Sequence, residues 1–338
     1  MWITSSLDLV QTPTVVALGN FDGIHRGHRR VIDPMLSRAA SSRVWSRESS
    51  EAASLALAGV GSGDREQGIP TIVTFTPHPQ EFFSGHRRLL LTPLPEKAFV
   101  IQELGVQQLV RIPFTAELAV LSPADFVENI LVNRLKALRI SVGEDFCFGH
   151  KRSGTAADLR AIAQTFGIDV TIVPLYREAG ERISSSAIRH ALTAGNMPLA
   201  NELLGRSYTL RGEVIQGKQL GRTLGFPTAN LNLPPEKFLP RHGVYAVRVG
   251  HLIDTDHETT ALWSGVMNLG TRPTVDGQHT QAEVHLFDWA GDLYGKALRV
   301  HLEAFLRPEQ KFESLDALKA QIQRDCDQAR SHLTPSTP

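Results

Sequence analysis

The stretch Thr14-Val15-Val16-Ala17-Leu18-Gly19-Asn20-Phe21-Asp22-Gly23-Ile24-His25-Arg26-Gly27-His28 decides the fold. A short β-branched run empties into a glycine-rich turn, and helical character follows from Arg29 to Arg38. In an open α/β sheet such a turn lies at the carboxyl edge, where ligands bind, and His28 falls in the first turn of the helix. Outward from it, strand-like runs at Thr71–Phe75, Val106–Ile112, Leu138–Val142 and Ile168–Val173 alternate with helical segments at Glu96–Leu104, Pro123–Lys136 and Thr155–Phe166. The last of these opens on a capping-box pair, Thr155 and Asp158. That alternation predicts a doubly wound parallel sheet, a Rossmann-like α/β domain.

After a helical stretch from Ser186 to Leu204, short strands separated by Gly, Pro and Asn turns take over: Tyr208–Val214, Gly243–Val249, Ala261–Met267, Glu283–Phe287 and Leu298–Phe305. These predict a small antiparallel β-barrel, closed by a C-terminal helix that starts after Ser314 and runs to about Ala329. The expected domains are residues 1–195 and 205–338. Residues 41–69, rich in Ser, Ala, Gly and Glu, read as a mobile insertion, and Thr334–Pro338 as a frayed end.

A chain of 338 residues fits two domains of roughly 100–200 residues each. Its 35 basic and 35 acidic side chains cancel, which disfavours a non-specific nucleic-acid or membrane binder, since these are visibly basic. Cys147 and Cys326 form neither a disulfide framework nor a zinc spacing, so the chain reads as cytoplasmic. The first basic residue is Arg26, so the charged opening of a secretory or transit peptide is missing, and no apolar stretch reaches the ~18 residues of a membrane helix.

The turn's glycines let a ligand approach the backbone, and the helix end favours an anion, so phosphate is the expected occupant. His25 and His28, three apart, fall on one helical face, and both imidazoles can donate to the same oxyanion. A histidine pair capping a helix end, or a metal site, are the other readings; the flanking glycines and Asp22 favour phosphate. Arg182-Ile183-Ser184-Ser185-Ser186-Ala187-Ile188-Arg189 offers hydroxyls and N–H groups at a helix start, with Arg189 one turn later able to fork onto phosphate oxygens. His78, between two prolines, reads equally as a rigid-turn residue and as a ligand contact.

In the second half, Gly217-Lys218-Gln219-Leu220-Gly221-Arg222 forms a flexible basic loop ahead of Pro227-Thr228-Ala229-Asn230. In an extended segment Thr228 and Asn230 point to one side, and their oxygens suit a Mg²⁺ ion completed by water and nucleotide phosphates. Glu283 opens a predicted strand, with its direction fixed relative to the barrel.

Gly19-Asn20-Phe21-Asp22-Gly23-Ile24-His25-Arg26-Gly27-His28 resembles the HxGH signature of the nucleotidylyltransferase superfamily. With Thr74–Pro79, Gly143–Gly149 and Arg182–Arg189 it resembles the N-terminal module of the bacterial bifunctional riboflavin kinase/FMN adenylyltransferases (FAD synthetases). The loop from Gly217 to Asn230, Gly243–Val247, Asn268–Thr274 and Glu283–Asp288 resemble their riboflavin kinase module. The resemblance implies an enzyme that phosphorylates riboflavin to FMN and adenylylates FMN to FAD, using ATP and Mg²⁺ and releasing pyrophosphate in the second reaction. It implies that His25 and His28 stabilise phosphate charge, with Gly19, Phe21, Asp22, Gly27, Asp145, Arg182, Ser185, Ser186 and Arg189 in the same site. It implies a kinase site of Gly217, Lys218, Arg222, Thr228 and Asn230, the last two holding Mg²⁺, with Glu283 as catalytic base. Two departures stand out: the 41–69 insertion, and Leu220 where relatives often carry arginine.

Small-molecule substrates, riboflavin, FMN and ATP, are therefore the expected partners of a monomer or transient homo-oligomer, with no nucleic acid or membrane. Two alternatives stay open at this point. Only one half is competent, with the adenylyltransferase acting on another acceptor, or the chain is a non-catalytic flavin-binding or regulatory protein.

Overall fold

A computed structural model describes residues 1–36, 68–178, 181–217, 220–254, 257–258, 262–274 and 277–334. All but the end of the expected 41–69 insertion, and the expected frayed residues 335–338, lie outside them. The chain forms two compact units, one of Met1–Phe21, Gly27–Arg87 and Val100–Tyr176, the other of Asp22–Arg26, Arg88–Phe99 and Arg177–Pro338.

The first unit holds a six-stranded sheet of β1 (Trp2–Thr4), β2 (Thr14–Leu18), β3 (Ile69–Thr76), β4 (Gln108–Pro113), β5 (Ala137–Gly143) and β6 (Asp169–Val173). The order is β1-β4-β3-β2-β5-β6 and every neighbouring pair is parallel, which is the sheet the alternation predicts. All five residues of β2 are buried, which is why that run carries no polar alternation. The strand order reverses direction between β2 and β5, so the carboxyl ends of these two strands open the crevice where open α/β sheets bind ligands.

Helix α1 (Arg26–Leu36) follows β2 and buries Val31, Ile32 and Met35. Helix α2 (Leu94–Glu103) precedes β4, and α3 (Ala156–Thr165) carries the anticipated capping box: the Thr155 hydroxyl accepts from Asp158 N–H, and Thr155 N–H donates to Asp158 Oδ2 at 2.8 Å. The expected helix over Pro123–Lys136 is instead a short α-turn, Pro123–Phe126, that widens into a π-helical segment, Val127–Val132. There Asn133 N–H reaches Glu128 O and Leu135 N–H reaches Ile130 O. The wider turn brings Val127, Leu131 and Leu135, at four-residue intervals, into one core with Val16, Leu18 and Val142.

The long C-terminal part of the second unit, from Arg177 on, carries α4 (Ser185–Ala194) and α5 (Met197–Leu204). The expected continuous helix over this stretch breaks because Gly195 takes a left-handed φ of 78° and Asn196 caps the next helix through Leu199 N–H. The barrel comprises β7 (Tyr208–Ile215), β8 (Ala229–Asn232), β9 (Gly243–Asp254), β10 (Trp263–Thr274), β11 (Gly277–Leu286) and β12 (Ala297–Arg307), with the short helix α6 (Leu220–Leu224) between β7 and β8. The strands run β9-β10-β11-β8-β7-β12, and an antiparallel β9–β12 pairing closes the cylinder. Closure pairs the first and last strands of this six-strand ladder, as in a barrel, and a short strand, His257–Glu258, adds to β9.

Two strand expectations need correction. Ala229–Asn232, read as an extended loop, is a sixth barrel strand, and β11 begins six residues before Glu283. Glu283 therefore lies inside a strand, not at its opening. Helix α7 (Leu315–Leu333) has the Ser314 N-cap and packs Cys326, Ala329 and Leu333 on the barrel residues Ala246, Val266 and Phe287. Among the described residues no helix is long and apolar enough to cross a membrane.

Candidate functional site

In the first unit, Gly19 N–H continues the sheet by donating to Val73 O at 3.1 Å. Thr74 Oγ1 holds the Asn20 carbonyl at 3.2 Å. Phe21 takes φ 49° and is 1% exposed, and its ring lies 5.4 Å from that of His28. A backbone that turns left-handed at a non-glycine residue persists only where packing fixes it. His28 is the third residue of α1 and half-buried; Gly27 is the second. Asp145 is exposed in the turn after β5, on the other side of the topological switch. His78 caps the short helix Pro79–Ser84, its Nδ1 accepting from Gln80 N–H at 3.1 Å.

The second unit holds residues 22–26 of the same turn. Asp22 is 4% exposed; its Oδ1 accepts from Leu91 N–H at 2.9 Å and Thr92 N–H at 3.3 Å, and its Oδ2 is paired with the Arg189 guanidinium. Ser185 Oγ donates to the Asp22 carbonyl at 2.8 Å, and Gly23 N–H donates to Thr92 Oγ1 at 3.0 Å. Arg206 donates to the next two carbonyls, Gly23 O at 2.7 Å and Ile24 O at 3.1 Å. Ile24 is fully buried with φ 42°, an outlier for a β-branched residue that costs about 1–3 kcal/mol. His25 follows at 6% exposed.

The segment that receives Asp22 is itself anchored. Lys237 Nζ donates to Leu91 O at 2.7 Å and pairs with Glu96, and Phe238 N–H and Leu90 N–H bond the two backbones together. Burial pulls the Lys237 ammonium below the usual lysine range, opposed by the Glu96 carboxylate. Thus Asp22, Ser185 and Arg189 come together as one bonded cluster. Ser186 and Arg182, close by in sequence, are exposed.

The barrel presents a different arrangement. Asn230 on β8 is the direct partner of Glu283 on β11, Glu283 of Asn268 on β10, and Asn268 of Val244 on β9. All four line one cavity of about 280 Å³, together with Thr228, Gly221, Phe226 and His285. Cross-strand partners share a face, so the register alone aims Asn230, Glu283 and Asn268 into this space. Asn230 accepts from Gln281 Nε2 and is buried. A Cβ at Gly217 would come 2.6 Å from Asn230 Cγ, so only glycine permits this approach. Arg222 is exposed on α6 and lies outside the cavity wall; Lys218 lies outside the described residues. His285 also lines the cavity and meets Pro227 O at 2.8 Å.

Compared with known proteins, the chain matches a family model for FAD synthetase at residues 8–47 and 57–187, and one for riboflavin kinase at 204–333. It is 38% identical over 330 residues to the bifunctional riboflavin kinase/FMN adenylyltransferase of Escherichia coli K12, covering 97% of this chain and 95% of the relative. The chain belongs to the bifunctional riboflavin kinase/FMN adenylyltransferase family. The Bacillus subtilis 168 member is 34% identical over 328 residues, covering 94% of this chain and 92% of its own. A crystal structure described as a macrolide-efflux protein from Streptococcus pneumoniae superposes with TM-score 0.78 at 27% identity, covering 99% of each chain.

The sequence alone gives no individual role to Asn268, which lines the cavity, nor to Thr92 and Arg206, which bond the turn at Gly23 and Ile24. Asn268 lies in a quoted motif, but its place beside Glu283 depends on strand register. Arg206 and Thr92 lie outside every motif and meet the turn only through the folded chain.

Proposed function

We propose that the barrel, residues 205–338, transfers the γ-phosphate of ATP to the 5′-hydroxyl of riboflavin, giving FMN and ADP. Residues 1–195 then join the AMP part of a second ATP to FMN, giving FAD and pyrophosphate. The observation that carries this reading is the row Asn230–Glu283–Asn268 across three adjacent strands of one cavity wall. Glu283 accepts the proton of the attacking hydroxyl, while Asn230 and Asn268 flank it.

Thr228 and Asn230 supply two hard oxygen donors on that wall, and among the described residues no three His, Cys, Asp or Glu side chains gather as a cation site. This donor set fits a Mg²⁺ ion that takes its other ligands from water and phosphates, and such an ion, when bound, neutralises phosphate charge. Gly217 and Gly221 let the loop lie against those side chains, and Lys218 and Arg222 add positive charge beside the nucleotide.

In adenylyl transfer, His25 and His28 donate to phosphate oxygens as charge builds on the departing pyrophosphate. Gly19 and Gly27 allow close approach of the nucleotide, and Asp145, Arg182 and Ser186 contact the substrates. Phe21 packs against His28, and Asp22, Ser185 and Arg189 hold the turn. The composition supports a cytoplasmic enzyme of small molecules.

The test is incubation of the purified chain with riboflavin and MgATP, followed by separation of the flavins. FMN should appear first and FAD after it. Riboflavin that binds and stays unmodified contradicts the reading.

A further inference from the structure

We propose that Arg206, at the entrance to the kinase barrel, is a positioning residue for adenylyl transfer. This rests on the adenylyltransferase role assigned above to His25 and His28. Arg206 follows the Gly205 cap of α5 and precedes β7, inside the region matched by the riboflavin kinase model. Its two terminal nitrogens grip successive carbonyls, Gly23 O at 2.7 Å and Ile24 O at 3.1 Å.

The second of these carbonyls belongs to the peptide group that leads into His25. Fixing the Gly23 and Ile24 carbonyls fixes two adjacent peptide planes, and with them the direction in which the chain delivers the first histidine. The need for such a grip is visible in the backbone. Gly23 has φ 93° and Ile24 φ 42°, and a buried β-branched residue holds a left-handed conformation only where its surroundings over-determine it. Asp22 and the Gly23 N–H are secured by Leu91, Thr92, Ser185 and Arg189. Arg206 extends that restraint by one more residue, to the one beside His25.

A planar fork suits two neighbouring carbonyls, whereas a lysine ammonium is a single point of donation and cannot reproduce both bonds in the same geometry. Donors aimed at charge that develops in the transition state depend on placement, and a displacement of about 1 Å can cost about 100-fold in rate. A loss of placement therefore appears in kcat before it appears in KM.

The experiment uses the full chain and its Arg206→Ala and Arg206→Lys variants, with riboflavin phosphorylation and FMN adenylylation measured separately. Arg206→Ala should lower kcat for FAD formation at least tenfold, change KM for MgATP less than threefold, and leave FMN formation within twofold. Arg206→Lys should fall between it and the parent, and added guanidinium, below denaturing concentration, should restore part of the rate to Arg206→Ala. Unchanged FAD formation, a rise in KM alone, or equal loss of both activities in a folded variant each overturns the proposal. Should Arg206→Ala fail to fold, the Lys variant decides by the same split. If the parent chain itself makes no FAD from FMN and MgATP, the adenylyltransferase reading fails, independently of Arg206.

Discussion

In the turn from Gly19 to His28, the backbone leading into His25 is fixed by side chains that arrive from far along the chain. Between Gly217 and Asn230, the candidate groups are fixed by the ladder of the barrel itself. Ser185, Arg189 and Arg206 reach residues 22–24 across 163, 167, and 182–183 positions of sequence, respectively. Asn230 and Glu283 are instead partners by register, and a strand's pleat sets where they point. The first turn is therefore vulnerable to remote substitutions, and the second to changes of backbone fit close at hand.

The comparison breaks most sharply if the two sites cannot be separated. His28→Ala should lower FAD formation from FMN by about 100-fold or more, the scale of losing one preorganised donor, with FMN formation unchanged. Glu283→Ala should lower FMN formation by roughly 10²–10⁴-fold, the range of a general base, with FAD formation from FMN unchanged. Steady-state assays of each reaction on the same preparations check both.

A remote anchor gives the next largest effect. Asp22→Asn keeps an acceptor for the Leu91 and Thr92 N–H groups but leaves the half-buried Arg189 charge without its anion. Breaking a buried pair in this way costs about 3–5 kcal/mol, which urea unfolding should register. An unfolding midpoint like the parent's would show that the turn is held by its backbone bonds alone.

For the second site the matching change is local. Gly217→Ala drives a Cβ into the Asn230 carboxamide. Riboflavin phosphorylation should fall by about tenfold, the cost of roughly 1.4 kcal/mol of misplacement, while FMN adenylylation persists. Equal loss of both activities would erase the contrast.

The smallest effect concerns the two thiols. Cys326 lies on the buried face of α7, against the barrel, and burial, followed by the charges of Asp325 and Asp327, pushes its thiol up to about 11. Only the thiolate reacts with alkylating reagents, so at pH 8 Cys147, which is half-exposed, should label first. Labelling of Cys326 should quicken as pH rises towards 11. Mass spectrometry after timed alkylation reads the order; equal rates at pH 8 would mean that α7 opens from the barrel.

The fold was legible wherever one segment carries its own signal. The uninterrupted apolar run of β2, the Thr155 capping box and the Ser314 cap all lie where sequence reading put them. The break at Gly195 is written locally as well, in the left-handed Gly195, the Asn196 cap and Pro198 in the first turn of α5, but the apolar pattern on either side of it reads as one continuous helix. Ala229–Asn232 was missed as a strand because four residues carry too little alternation; pairing with β7 and β11 makes it one. The candidate site divides in the same way. His25, His28, Thr228, Asn230 and Glu283 announce themselves through neighbours in sequence, whereas Asn268, Thr92 and Arg206 acquire their positions from register and long-range bonds.

The most direct test is complementation in a single tube. Neither His28→Ala nor Glu283→Ala alone should convert riboflavin and MgATP to FAD, whereas a mixture of the two variants should, since the FMN released by one is substrate for the other. FAD from the mixture at a rate well above either variant alone is the predicted result. A mixture that stops at FMN while Glu283→Ala still adenylylates added FMN, or a Glu283→Ala protein that cannot adenylylate FMN at all, would contradict two separable sites on one chain.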